Sequence, residues 1–369
     1  MAKEEMIPIL KAVGAASWLE AGYQGQGIKV WSCESDGGHG ACSKQMVLDV
    51  APMAAVTPMG FGFSTNGDKM ISPPTTESGE NVADFVQQNE FHLITASLAG
   101  GNRSQEYVDY MKRLFEVERT VVLNSAANDG TGDGETISTR FPVEVCAAIG
   151  ALNYSQGKFV RASYSSVGPE LDFMQSVGWW SGTSAATPFQ AGLCAIIMSR
   201  YGRMSMQEMY KYLQMISRDL GEEGHDNHHG WGQPILPPLS VKYITMTTEG
   251  TRYQVDGKEL VMDTKPVNRQ GNVFVPVRVI SEALGAKVEW AFSPDKSIRV
   301  TIDNRIILNT GSDAAFIEGR KVYLNFAPYI DENNRTLVPI RFIAEALNCK
   351  VDWVQKESKV MILGPNPAQ

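Results

Sequence analysis

A small-residue turn, Gly182-Thr183-Ser184-Ala185-Ala186-Thr187-Pro188, runs straight into the apolar residues Phe189, Leu193, Cys194, Ile196, Ile197 and Met198. The apolar run reads as a buried helix, and Pro188 is tolerated because the first helical turn needs no backbone donor. Ser184 therefore stands at a helix N-terminus. A hydroxyl there is exposed, held on a rigid element, and close to unpaired N–H groups at the positive end of the helix dipole, the surroundings an acyl-transfer oxyanion requires. The same residues suit a plain helix cap, so the segment alone leaves nucleophile and cap both open.

Gly-Thr-Ser-x-Ala-x-Pro followed by Gln190-Ala191-Gly192 resembles the serine motif of the subtilisin-like serine proteases. It departs from that motif at Ala185, Phe189 and Gln190, where the family usually shows methionine, histidine and valine. The resemblance covers roughly the first two thirds of the chain. It implies an α/β fold, the subtilisin-like three-layer sandwich with a mostly parallel sheet, and a serine endopeptidase acting on protein or peptide through an acid, a histidine and a serine.

The rest of the chain can be tested for that order. Residues 7 to 27 read as a lead-in helix closed by Gly22, Gly25 and Gly27, and Gly27 to Cys33 reads as a strand delivering Glu34, Ser35 and Asp36 to its C-terminal end, where open α/β sheets keep their sites. Gly37-Gly38-His39-Gly40 follows at once, and Ala41 to Val50 can form a helix that stops before Pro52. In the family a strand ending in aspartate leads to a helix carrying a His-Gly pair, with Val-Ala-Pro soon after, here Val50-Ala51-Pro52. In that register Glu34 falls where the aspartate should be, with Asp36 as the alternative acid, and the usual long excursion before the histidine has shrunk to a glycine turn. A glutamate can still orient an imidazole, since the need is a buried carboxylate within reach of one ring nitrogen.

Downstream, Ser78 to Asn89 reads as a helix, His92 to Leu98 as a strand, Ser104 to Glu118 as a helix, and Thr120 to Leu123 as a buried strand. The resemblance makes Ser97, Leu98 and Ala99 a backbone edge that pairs with extended substrate. It makes Ser125 and Ala126 part of the substrate cleft, and Asn128 in Asn124-Ser125-Ala126-Ala127-Asn128-Asp129-Gly130 the donor to the oxyanion, together with the Ser184 N–H. Arg140, before Phe141-Pro142, falls near the family's primary specificity pocket, which implies a basic floor favouring acidic or short side chains. Ala162-Ser163-Tyr164-Ser165-Ser166-Val167-Gly168-Pro169-Glu170-Leu171-Asp172 is very close to the family's Ala-Ser-Phe-Ser-Ser-Val-Gly-Pro-Glu-Leu-Asp. Another helix reads from Ser205 to Ile216. His225, Asp226, His228 and His229 crowd one loop, but no helical or other ligand spacing marks them, and no metal is expected there.

Pro234, Pro237 and Pro238 read as a stiff linker. Beyond it Phe274 to Trp290 and Leu337 to Trp353 are two copies of one unit, strand, short helix, strand, with Arg278 and Glu282, or Arg341 and Glu345, as i, i+4 pairs holding each copy together. This smaller α+β duplicated domain resembles the stalk module named after the copper amine oxidase N-terminal domain. Neither copy carries a His/Cys/Met constellation, so an architectural or targeting role without copper is expected, including attachment to a cell surface or particle. The expected division is a lead-in over 1–26, a peptidase domain over 27–236 and a two-repeat domain over 241–369.

Composition adds bounds. At 369 residues, 43% hydrophobic and 20% charged, the chain is ordinary two-domain globular protein, and a net charge of -8 argues against a general nucleic-acid binder. Five cysteines without metal-ligand or disulfide spacing read as thiols. No apolar stretch is long enough to span a bilayer, and the acidic start lacks the basic and apolar parts of a signal peptide. The expectation is a cytoplasmic or phage-associated protein, or an extracellular one if a leader has been removed. The chemistry requires no cofactor. Family members often bind structural calcium, for which the residues allow no ligand assignment. The alternative, motivated by the glutamate and the lost excursion, is a catalytically silent scaffold serving as a binding or structural module.

Overall fold

The computed structural model describes residues 2–62, 65–66, 69–70, 74–98, 100, 102–103, 105–118, 120–130, 137–139 and 141–365. They form two compact units, Met1–Pro238 and Leu239–Gln369.

Short apolar runs separated by helices build a seven-stranded sheet in the first unit. From one edge it runs β2 (Ala55–Pro58), β1 (Lys29–Ser32), Leu93–Ala96, Val121–Ser125, Ala147–Ser155 and the antiparallel Lys158–Arg161, with Phe173–Ser176 also pairing in parallel with Ala147–Ser155. All pairings but the one to Lys158–Arg161 are parallel. Parallel strands need covered faces, and the alternation of side chains supplies two apolar surfaces. Trp31, Ile94 and Val122 cluster with Val82 and Phe85 of α4 (Val82–Asn89) and with Tyr107, Met111 and Leu114 of α5 (Gln105–Glu118). Their neighbours Val30, Leu93, Val121 and Leu123 are equally buried and point to the opposite face, where α3 (Gly38–Val50) and α6 (Thr183–Tyr201) pack. The result is a three-layer sandwich with a mostly parallel sheet.

The helix α6 is buried along almost its whole length, as its apolar sequence demands. It lies against α3 closely enough that a Cβ on Gly192 would come within 2.5 Å of the Val50 Cβ. Both helices carry a residue of interest in their first turns, His39 and Ser184. The chain leaves β1 toward β2 on one side and returns to Leu93–Ala96 on the other, so the order reverses around β1. A crevice outside the carboxyl ends of β1 and Leu93–Ala96 is the place such a sheet offers for a ligand.

Several boundaries differ from the sequence expectation. The lead-in is two helices, α1 (Ala2–Ala12) and α2 (Ala15–Glu20), and it belongs to the first unit. The break falls at Gly14, whose φ of +74° turns the chain and where Leu236 O sits 2.2 Å from a would-be Cβ. Met6, Val13 and Trp18 are buried, and Trp18 Nε1 donates to Pro237 O at 2.7 Å. The prolines read as a linker are thus partly structural, with Gln233–Pro234 forming a strand beside Ser217–Arg218. The helix expected from Ser78 starts at Val82, because Asn81 caps it by accepting from Ala83 N at 2.8 Å. The helix expected from Ser205 is α7 (Met206–Ile216), with Ser205 as its cap.

The second unit is mostly antiparallel. Its two copies are Asn272–Pro276, α8 (Val277–Ala283) and Val288–Phe292, then Thr336–Pro339, α9 (Ile340–Ala346) and Lys350–Val354. The first strands of the copies pair antiparallel with Val275 opposite Val338, equivalent residues meeting as they would across a local two-fold axis. The Arg278–Glu282 and Arg341–Glu345 pairs form, both at 3.6 Å and both exposed. Exposed pairs of this kind contribute only ~0.2–0.5 kcal/mol each. The copies are held together by shared core, with Val275, Ile280, Val338 and Ile343 among its buried members, rather than by these ion pairs.

Candidate active site

Beyond the end of β1 the backbone tightens, with Glu34 N donating to Ser32 O at 2.8 Å. That turn leaves Glu34 buried while its Oε2 bonds to His39 Nδ1. The other carboxylate oxygen is buried without a partner among the described residues. Only a bare first turn of α3 allows this closeness, since a Cβ on Gly40 would lie 2.1 Å from Ser35 O and 3.0 Å from the Glu34 Cβ. Asp36 faces away, with 56% of its side chain exposed and its carboxylate on Lys44 Nζ at 3.2 Å. Of the two acids considered from sequence, Glu34 is the one within reach of the imidazole.

His39 is half exposed and meets Trp180 edge-on, with ring centroids 4.6 Å apart. Trp179 beside it donates from Nε1 to Asp49 Oδ2 at 2.7 Å. The two tryptophans thus tie the segment leading to Ser184 onto α3, the helix that carries His39. Ser184 sits in the first turn of α6 after Gly182. Its hydroxyl donates to Ser97 O at 3.3 Å, and the Ser97 hydroxyl donates to Ser184 O at 2.8 Å. The structure therefore brings Ser184 against Ser97 and holds the Ser184 hydroxyl on that carbonyl rather than on the imidazole.

Asn128 follows Ala127, whose φ of +76° is an uncommon conformation for a residue with a Cβ. The turn persists because neighbours hold it: Ser166 N donates to Ala127 O at 3.1 Å, Asp129 N to Ser166 Oγ at 3.0 Å, and Gly130 N to Tyr164 O at 2.8 Å. Asn128 Oδ1 accepts from Thr183 N at 2.9 Å and from Thr183 Oγ1 at 3.1 Å. With its oxygen engaged, the Asn128 amide nitrogen has no acceptor among the described residues and is free to donate.

Ser97 and Leu98 leave their strand beside Ser125 and Ala126. Ser125 Oγ donates to Leu98 O at 3.4 Å, and Asn124 Nδ2 donates to Ala96 O at 3.1 Å and Leu98 O at 2.9 Å. Asn124 Oδ1 in turn accepts from Phe141 N at 2.9 Å. Asn124 is thus a wholly buried organiser of this edge that sequence reasoning passed over, although an amide ending an apolar strand is a readable signal. Ala99 and Arg140 lie outside the described residues.

The histidine-rich loop has local duties. His225 Nε2 donates to Leu171 O at 2.8 Å, and Asp226 Oδ1 accepts from the N–H groups of His228 and His229. Among the described residues no group of three or more His, Cys, Asp and Glu side chains could hold a metal ion. Close by, Asp172 accepts from Ala148 N and from the Tyr210 hydroxyl, each at 2.7 Å. Burial pushes the Asp172 carboxyl up to about 6 against those two bonds, and burial followed by the Asp172 charge raises the Tyr210 phenol. An acid raised in the folded state adds stability below its unfolded pKa and loses it as pH rises through the folded one. Between pH 4 and 6.5 the unfolding free energy of wild type relative to Asp172→Asn should therefore fall, by about 3 kcal/mol at most; a flat difference in urea titrations would exclude this.

The subtilase family model matches residues 33–232, more than half of the chain, and the copper amine oxidase N-terminal domain model matches residues 254–362. Subtilisin DY of Bacillus licheniformis is 26% identical over 230 residues, covering 58% of this chain and 79% of that protein. Subtilisin NAT of Bacillus subtilis subsp. natto is 29% identical over 194 residues, and the match spans 47% of each. Among solved structures, fervidolysin from Fervidobacterium pennivorans, described as a keratinolytic enzyme related to subtilisin, is 16% identical at a TM-score of 0.46, covering 72% of this chain and 54% of its own. No helix among the described residues is long and apolar enough to cross a membrane. The chain belongs to the subtilase family of serine proteases and carries a copper amine oxidase N-terminal domain behind its peptidase domain.

Proposed function

We propose that the first unit is a working serine endopeptidase that cleaves protein or peptide through an acyl-enzyme. In this reading Ser184 attacks the peptide carbonyl, and His39 takes its proton and returns it to the leaving amine. Glu34 holds the imidazole tautomer from Nδ1, and Asn128 and the Ser184 N–H receive the oxyanion. The observation that supports it most is the buried Glu34 carboxylate on His39 Nδ1. That bond leaves Nε2 as the proton acceptor and stabilises the imidazolium that forms. Substrate laid along Ser97 and Leu98 would bring a backbone N–H to compete for Ser97 O, releasing the Ser184 hydroxyl to turn toward His39. The chemistry as written needs no cofactor, and the second unit serves as an architectural or attachment module that needs no copper.

One observation favours the silent-scaffold reading, the Ser184 hydroxyl resting on Ser97 O. Exposure of folded protein to a fluorophosphonate, followed by peptide mass mapping, separates the two. The protease reading expects stoichiometric label on Ser184; folded protein that takes no label is a scaffold.

A further inference from the structure

We propose that Tyr164 is a positioning residue that keeps the Ser184 N–H available to the oxyanion. The inference rests on the protease reading and concerns three successive amides at the entry to α6. Gly182 N donates to the Tyr164 hydroxyl oxygen at 2.9 Å, and Thr183 N donates to Asn128 Oδ1 at 2.9 Å. Ala185 N closes on Gly182 O at 3.0 Å. Among the described residues, Ser184 N is left as the amide of this turn without an acceptor. Two side chains therefore occupy the first two donors and leave the third.

Gly182 is the reason such anchoring matters. Its backbone, at φ 83° and ψ 163°, lies where a residue without a Cβ has wide freedom. A change in the backbone angles about Gly182 would turn the first turn of α6 against the peptide that precedes Gly182 and carry the Ser184 N–H out of the site. Asn128 Oδ1 holds the peptide that follows Gly182, through Thr183 N, but not the peptide that precedes it, whose N–H is that of Gly182. Tyr164 supplies a second anchor on the other side of the flexible residue. The phenylalanine found at this place in the family motif has no hydroxyl to do so. The same tyrosine's backbone carbonyl accepts from Gly130 N at 2.8 Å, so one residue braces both the Asn128 turn and the Ser184 turn.

Tyr164→Phe removes the acceptor and retains the ring. It should lower kcat roughly three- to ten-fold, the range for one neutral hydrogen bond, and leave KM within about two-fold. A peptide aldehyde, whose adduct with Ser184 places an oxygen in the hole, should weaken by the same factor as kcat, and the matching peptide alcohol should not weaken. A merely structural role would move both ligands together. Unchanged kcat, or equal weakening of aldehyde and alcohol, overturns the proposal. Hydrogen exchange on wild type provides a test independent of the variant's folding: Gly182 and Thr183 amides should be protected and Ser184 should exchange quickly, whereas a protected Ser184 amide overturns the arrangement. A wild type that neither cleaves peptides nor takes a fluorophosphonate sinks the protease reading, and the exchange pattern then still decides how the three amides are bonded.

Discussion

Ser184→Ala and His39→Ala should each lower kcat on a chromogenic peptide by about 10⁶-fold, and the double variant should lose no more than either single one. The magnitude is the one known for the corresponding pair in subtilisin, a relative of this chain. The reason for the plateau is physical. A hydroxyl without a base is a poor nucleophile at neutral pH, and a base without a hydroxyl has nothing to activate, so removing either part removes the unit. A residual rate of about 10³–10⁴ over water should survive in all three variants, because Asn128 and the Ser184 backbone N–H are untouched. Losses that multiply in the double variant would mean that Ser184 and His39 act independently. His39 and Ser184 lie in the first turns of two helices packed side by side, and Trp180, four residues before Ser184, touches the His39 ring. That is the geometry from which the coupling is expected.

Much of this arrangement could be read before any coordinates. Individual strands could be read from short apolar runs such as Thr120 to Leu123, though not their order in the sheet, and Ser184 stood out where a glycine turn meets an apolar helix. Choosing Glu34 over Asp36 rested on register; in the structure Glu34 Oε2 bonds to His39 Nδ1, while Asp36 is exposed on Lys44 Nζ. What the sequence concealed are bonds between distant segments. Nothing local in Tyr164 says that its hydroxyl will meet Gly182, and nothing in Ser97 says that it will trade hydrogen bonds with Ser184. The segment from Ala162 to Asp172 could be matched to the family motif, but its service to the Asn128 turn depends on Ser166 and Tyr164 lying against Ala127 and Gly130. The lead-in was misread as one helix: it breaks at Gly14, which takes a φ of +74° and lies where a Cβ would meet Leu236 O, more than two hundred residues away.

The same register sets the second large effect. Glu34→Gln should reduce kcat by about 10⁴-fold, whereas Asp36→Asn should leave it within about two-fold. An amide of the same shape keeps the packing around residue 34 but can present N–H to His39 Nδ1, which favours the tautomer with its proton on Nε2, the wrong nitrogen for a base. It also withdraws the negative charge that stabilises the imidazolium. Burial of residue 34 makes the second loss severe, because little water reaches that position to substitute for the carboxylate. Asp36 is exposed and engaged with Lys44, so its charge is screened and its side chain has no part in holding the ring. Glu34→Asp separates geometry from charge: it keeps the carboxylate but withdraws it by one methylene, and its activity should fall between wild type and Glu34→Gln. A large loss in Asp36→Asn with Glu34→Gln nearly intact would reassign the acid, and equal losses in both would mean that the turn, rather than either carboxylate, orients His39.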